Sequence, residues 1–116
     1  TYFDWDLKEA SFQGKTWKTQ CEEIIETLSS NVYISFDIDG LIPNLCPNTG
    51  TPVPGGFTLE QVSYLLFALV NSGRNIIGFD LNEVSPGNQG DWDANVGARA
   101  LWQLICATEL SRRKTC

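Results

Sequence analysis

The chain of 116 residues contains no histidine and no methionine. Without an imidazole it cannot by itself build a serine–histidine–aspartate triad, use a histidine general base, or form the common histidine-bearing zinc sites. Without a methionine, Thr1 is not expected to be a translation start, so a processed chain or a piece of a longer one is expected. No apolar run approaches the ~20 residues that a membrane-spanning helix requires, and no secretory leader pattern opens the sequence. Positive charge is scarce: eight Lys and Arg stand against 14 Asp and Glu, for a net charge of -6. Such a surface repels a phosphate backbone, which excludes a general nucleic-acid binder. The four cysteines (Cys21, Cys46, Cys106, Cys116) are scattered and form no Cys-x-x-Cys pair. Disulfide pairing is open to them, but at this chain size the intracellular thiol reading is preferred, and a cytoplasmic setting is expected.

What is present is an ordinary globular composition: 42% hydrophobic and 19% charged, with four Trp, six Phe and three Tyr to build a core. Trp17, Cys21, Ile24, Ile25 and Leu28 recur at helical spacing, and Lys18, Glu22, Glu23 and Glu26 fall on the other side. An amphipathic helix is predicted from near Lys15 to Ser29–Ser30, its acids forming a solvated face. Val32 to Phe36 and Asn75 to Leu81 are short, nearly continuous runs of β-formers, the pattern of strands buried on both faces of a parallel sheet. Between them Thr58-Leu59-Glu60-Gln61 reads as a capping box, with Phe57 and Val62 placed as its hydrophobic staple. The helix it opens presents Val62, Leu65, Leu66, Leu69 and Val70 on one face and closes at Gly73. A last helix starts near Asp93, is expected to bury Val96, Leu101, Leu104 and Ile105, and sets Arg112, Arg113 and Lys114 at its negative end. Trp92 and Trp102 are expected to pack rather than to recognise a ligand.

Helix–strand–helix–strand–helix makes a right-handed βαβ unit and an α/β layered fold. Two strands alone leave both sheet edges open and are marginally stable. Further strands are expected from residues 1–14, from a partner chain or, the preferred source, from sequence outside this chain. In an open parallel sheet, ligands bind beyond the carboxyl ends of the strands. Both predicted strands end in acids there: Asp37 and Asp39 on the first, Asp80 and Glu83 on the second. Residues two apart on an extended segment point the same way, so Asp37 and Asp39 can present two carboxylates to one point. Their repulsion is relieved by a cation between them, and hard oxygen ligands suit Mg²⁺ or Mn²⁺. The plain structural alternatives are loop capping by the aspartates and a surface pair between Glu83 and Arg74 or Arg99, worth ~0–1 kcal/mol.

The segment from Asp37 to Phe57 holds four prolines and four glycines and forms a long loop. Its start, Phe36-Asp37-Ile38-Asp39-Gly40-Leu41, looks like the opening motif of haloacid-dehalogenase-like phosphatases, with a nucleophilic aspartate and a second aspartate as general acid. That family also needs a downstream lysine, and none lies between Lys18 and Lys114. Gly90-Asp91-Trp92-Asp93 is a poor match to its last acidic motif. A longer stretch fits elsewhere. Ser35 through Pro43, continued by Pro47-Asn48-Thr49-Gly50-Thr51-Pro52-Val53-Pro54-Gly55-Gly56, closely resembles the third signature of the manganese-dependent ureohydrolases: arginase, agmatinase and formimidoylglutamase. Gly78 through Pro86 resembles the same family's Asp-x-x-Glu-Val-x-Pro strand end, and Asp93 through Arg99 the start of its following helix.

The resemblance implies a three-layer α/β/α fold with a mainly parallel sheet, of which residues 1–116 would be the C-terminal portion of a single domain. It implies two manganese ions bridged by a hydroxide that attacks the carbon of a guanidinium or amidino group, releasing urea or its counterpart. Carried over, Asp37 would bridge both ions and Asp39 would ligate one. Glu83 would accept hydrogen bonds from the guanidinium, Thr51 would line the pocket, and Asp80 would support the site from behind. The implied partners are a small guanidino or amidino substrate and further copies of the complete enzyme, in trimers or hexamers. Two departures stand out. Ile42 occupies a position where the family has an aspartate, and the upstream signatures bearing histidines and further aspartates have no counterpart here. The isolated chain is therefore expected to be inactive. A second reading is a non-catalytic remnant serving binding or oligomerisation.

Overall fold

A computed structural model of the chain describes residues 1–88 and 90–114. Helix α1 (Asp4–Phe12) is followed by α2 (Trp17–Glu26), strand β1 (Asn31–Asp37), α3 (Leu59–Asn71), β2 (Asn75–Asn82) and α4 (Trp92–Lys114). The two strands pair in parallel, Asn31 opposite Asn75 and Asp37 opposite Asn82, with an irregularity where Ile77 and Gly78 both pass Tyr33. Residues 4–12 are helical, so of the three sources of further strands expected from the sequence, residues 1–14 supply none.

The capping box forms as the sequence predicts. Thr58 Oγ1 accepts from the Gln61 backbone N–H, and Gln61 Oε1 accepts from the Thr58 N–H. Phe57 and Val62 pack against one buried cluster of Ile38, Leu41, Cys46 and Val96. Gly73 takes the left-handed φ of 85° that ends α3. On α2, Glu22 and Glu23 lie on the solvent side with Lys18 and Lys15 as ion partners.

Two expectations are corrected. The strands are not buried on both faces: along β1, exposed and half-buried residues alternate. Val32, Ile34 and Phe36 turn with Ile76 and Phe79 into a core that also takes Ile25, Leu66, Leu69, Val70, Leu104 and Ala107 from α2, α3 and α4. The opposite face, with Tyr33 56% exposed and Ile77 63% exposed, carries no helix among the described residues. Of the three layers expected for the complete fold, two lie within these residues, consistent with a smallest extent of 19 Å. The second correction concerns α4. Leu101 and Ile105 stand 39% and 45% exposed, while Asp93, Val96, Ala100, Leu104, Ala107 and Ser111 form its buried stripe. Small residues let α4 approach the sheet closely, and Ser111 Oγ then accepts the Ile76 backbone N–H at 3.0 Å. Leu101 and Ile105, four residues apart on the helix, fall together on one flank outside that stripe.

Cys21, Cys46 and Cys106 are free thiols; Cys116 lies outside the described residues. Burial, with Glu22 nearby, pushes the Cys21 thiol up to about 11.

The orientation of α4 has a direct test. Leu104→Ala is expected to lower stability by about 2–4 kcal/mol through cavity formation, and Leu101→Ala by less than about 1 kcal/mol, in urea titrations followed by circular dichroism. Equal losses at the two positions would contradict the observed rotation of the helix.

Candidate functional site

Because the strands are parallel, Asp37 and Glu83 emerge at the same edge of the sheet: Asp37 pairs with Asn82, and Glu83 is the next residue. Asp39 arrives there differently from the sequence expectation. The extended segment stops at Asp37, and Ile38–Gly40 forms a single 3-10 turn with Ile38 fully buried beneath it. It is therefore a turn, not the pleat of a strand, that brings Asp39 beside Asp37. The two aspartates and Thr51 line one cavity of about 550 Å³, walled on its apolar side by Trp17, Phe36, Val62 and Leu65 among others. Thr51 Oγ1 donates to Asp39 Oδ2 at 2.9 Å, which fixes one carboxylate oxygen.

The long loop folds back on itself to make the rim. Ile42 N–H donates to the Phe57 carbonyl at 2.9 Å, and Phe57 N–H to the Gly40 carbonyl at 3.0 Å. Gly56, at φ 91°, is needed there: a Cβ would come within 2.7 Å of the Gly40 carbonyl oxygen. The Trp17 ring lies 5.6 Å from that of Phe57, and its Nε1 donates to the Gln61 carbonyl at 3.0 Å. Lys8 of α1 reaches across to the Gly56 carbonyl at 3.0 Å, so α1 braces the rim.

Glu83 does not line the cavity, and it makes no ion pair with Arg74 or Arg99. Asp80 also stands outside the cavity walls. It lies on the helix-free face of the sheet, accepting from Ser35 Oγ at 2.9 Å, from Tyr33 Oη at 3.0 Å and from Asn82 Nδ2. Gly78 gives the Tyr33 ring room, since a Cβ there would sit 3.1 Å from Cε2. Of the two tryptophans expected to pack, Trp92 is half exposed and donates its Nε1 to the Asn44 carbonyl at 3.1 Å, while Trp102 is 67% exposed. Sequence reasoning missed Asn48, Thr49 and Asp93. Asn48 donates twice to the buried Asp93 carboxylate, and the buried Thr49 hydroxyl donates to the Glu83 carbonyl at 3.0 Å. The available signal was an acid in the first turn of a helix, which reads only as a favourable dipole contact.

Hydrogen bonds donated by Ser35, then by Tyr33, hold the Asp80 carboxyl below its ordinary value of 3.8. The same Asp80 bond raises Tyr33 above 10.0. Burial, with Asp93 and Asp39 nearby, raises the Cys46 thiol. Among the described residues no group of three or more His, Cys, Asp or Glu side chains is placed to hold a metal ion. Asp37 and Asp39 are donors of the hard oxygen type that suits manganese, but two carboxylates are fewer ligands than such an ion takes. The described residues therefore do not fit a complete two-ion centre.

These features define a class: an α/β chain whose parallel strands end in acids beside a loop-rimmed cavity. The model of the arginase family matches residues 7–107, and the chain belongs to that family. It is 46% identical over 68 residues to the N(1)-aminopropylagmatine ureohydrolase of Thermus thermophilus, covering 59% of this chain and 23% of that protein. It is 48% identical over 87 residues to the agmatinase of Proteus mirabilis, covering 74% and 27% respectively. The solved structure of proclavaminate amidino hydrolase from Streptomyces clavuligerus superposes with a TM-score of 0.77 at 28% identity, over 93% of this chain and 34% of that one. The chain thus spans about a quarter of the length of the curated relatives it matches. Those relatives are ureohydrolases, and the fold is arginase-like. No helix among the described residues is long and apolar enough to cross a membrane.

The hydrogen bonds on Asp80 set a pH dependence. A carboxyl held below 3.8 when folded adds stability above that pH, and the contribution is lost as pH falls through the lower folded value. An NMR titration of the Asp80 carboxyl is expected to show its midpoint below 3.8, moving back toward that value in Ser35→Ala. A midpoint unmoved by the substitution would show that the Ser35 bond does not form in solution.

Proposed function

We propose that this chain is the C-terminal portion of a single ureohydrolase domain, and that the complete enzyme hydrolyses a C–N bond of a linear guanidino or amidino compound to release urea or an analogue. The observation that carries the reading is the joint placement of Asp37, Asp39 and Thr51 in one cavity at the carboxyl edge of the sheet, in a chain of the arginase family. The proposed cofactor is a pair of manganese ions. Asp37 would bridge them and Asp39 would ligate one, the other ligands coming from outside the described residues. Thr51 holds one oxygen of Asp39 by its hydroxyl. Glu83, exposed and at the same edge, would receive the guanidinium, because a carboxylate matches that planar cation through paired hydrogen bonds. The proposed setting is a cytoplasmic homo-oligomer, in keeping with the free thiols Cys21, Cys46 and Cys106. With two ligands, the isolated 116 residues would be inactive.

Ile42, standing where the family has an aspartate, favours the second reading of a non-catalytic remnant. The rim closes without that aspartate through the Ile42 backbone N–H, so the substitution does not open the loop.

Supplied with Mn²⁺, the complete polypeptide is expected to release urea from arginine, agmatine or a guanidino acid, while residues 1–116 alone release none. Glu83→Gln is expected to raise KM for the accepted substrate roughly ten- to hundredfold, the equivalent of one hydrogen bond to a charged group. Absence of urea release with every such substrate, together with no metal uptake, would establish the remnant instead.

A further inference from the structure

Glu83 is the one non-glycine residue with a positive φ, 68°, among the described residues. An L-residue in this region is disfavoured by roughly 1–2 kcal/mol, so surrounding contacts must hold it there. Two contacts do so. Val84, the next residue, seats against Gly97 of α4, where an added Cβ would come within 3.0 Å of its Cγ2. On the loop side, the buried Thr49 donates its hydroxyl to the Glu83 carbonyl oxygen at 3.0 Å.

Thr49 is itself immobilised by its neighbour. Asn48 donates its backbone N–H at 3.1 Å and its Nδ2 at 3.0 Å to the two oxygens of Asp93, a carboxylate only 1% exposed in the first turn of α4. The Asn48 side chain fills a slot left open by Gly87, where a Cβ would lie 2.0 Å from its Cγ. The loop that sends Thr51 to Asp39 therefore also grips the backbone of Glu83, two residues earlier in the chain.

We propose that Thr49 is a positioning residue for Glu83. Its hydroxyl holds the left-handed backbone and so sets the direction in which the Glu83 carboxylate leaves the sheet edge. The consequence for substrate rests on the assignment of Glu83 as the group that receives the guanidinium. Loss of the donor lets Glu83 relax toward negative φ, which swings the Cα–Cβ bond and misdirects the carboxylate.

The test compares Thr49→Val, which keeps the shape and removes the donor, with Thr49→Ser, which keeps the donor and removes a methyl group. Both are made in the complete polypeptide assayed for urea release. Thr49→Val is expected to raise KM about tenfold or more, and Thr49→Ser to stay within about twofold of the parent. A residue that served packing alone would give the reverse order. The backbone is read independently by the intraresidue HN–Hα NOE of Glu83, expected to be strong in the parent and Thr49→Ser and weak in Thr49→Val. Should Thr49→Val not fold, Thr49→Cys, a weak donor of similar volume, carries the same expectation as Thr49→Val. A parental NOE and KM in the donor-deficient variant overturn the proposal, as does equal impairment in Thr49→Ser. If Glu83→Gln leaves KM unchanged, the assignment of Glu83 fails, and the NOE still decides whether Thr49 sets its backbone.

Discussion

Two carboxylates two residues apart, at the tip of one strand, line a single cavity. Like charges that close repel, so an arrangement that keeps both facing one space needs partners for each and a backbone that will not let them part. In this chain the backbone supplies the restraint. β1 ends at Asp37, and a one-turn 3-10 segment anchored by the fully buried Ile38 presents Asp39 beside it. Thr51, across the loop, then ties down one oxygen of Asp39. The rest of the site serves to keep Thr51 and the strand tip in register.

That service falls to the loop of residues 38–57, which has little regular structure but is fastened at both ends and in the middle. Its ends close on each other through Gly40, Ile42 and Phe57, with Gly56 passing too near the Gly40 carbonyl for any side chain to fit. Its middle is fastened to α4 by the Asn48–Asp93 bonds and to the β2 exit by Thr49. The fastening residues lie 45 and 34 positions from their partners. The loop is therefore held by long-range contacts as well as by its own turns.

Features decided by neighbours in the chain were legible in the sequence. The capping box of Thr58 and Gln61, the closure of α3 at Gly73 and the acidic solvent face of α2 depend on residues within one helical turn or so. The resemblance of the loop to the ureohydrolase signature pointed to Asp37, Asp39 and Thr51 together, and all three line one cavity. What escaped was decided by approach across space. α4 buries Val96, Ala100, Leu104 and Ala107 and leaves Leu101 and Ile105 exposed, a rotation set by its docking on the sheet and α3 rather than by the hydrophobicity of single residues. The hydrophobic runs of β1 and β2 spoke for two covered faces, yet the helices of this chain cover one, and Tyr33 and Ile77 stay exposed on the other. The left-handed Glu83 had no local signal, since glutamate carries no preference for that conformation and its restraint comes from Thr49 and Gly97.

The proposed role of the β1 tip is to hold divalent cations through Asp37 and Asp39. Paramagnetic broadening of assigned amide resonances during addition of Mn²⁺ at substoichiometric amounts measures this directly, even where affinity is weak. If the proposed site forms, the amides of Asp37, Asp39 and Thr51 are expected to broaden first. Early broadening confined to the acidic face of α2 at Glu22, Glu23 and Glu26, with Asp37 and Asp39 unaffected, would contradict it.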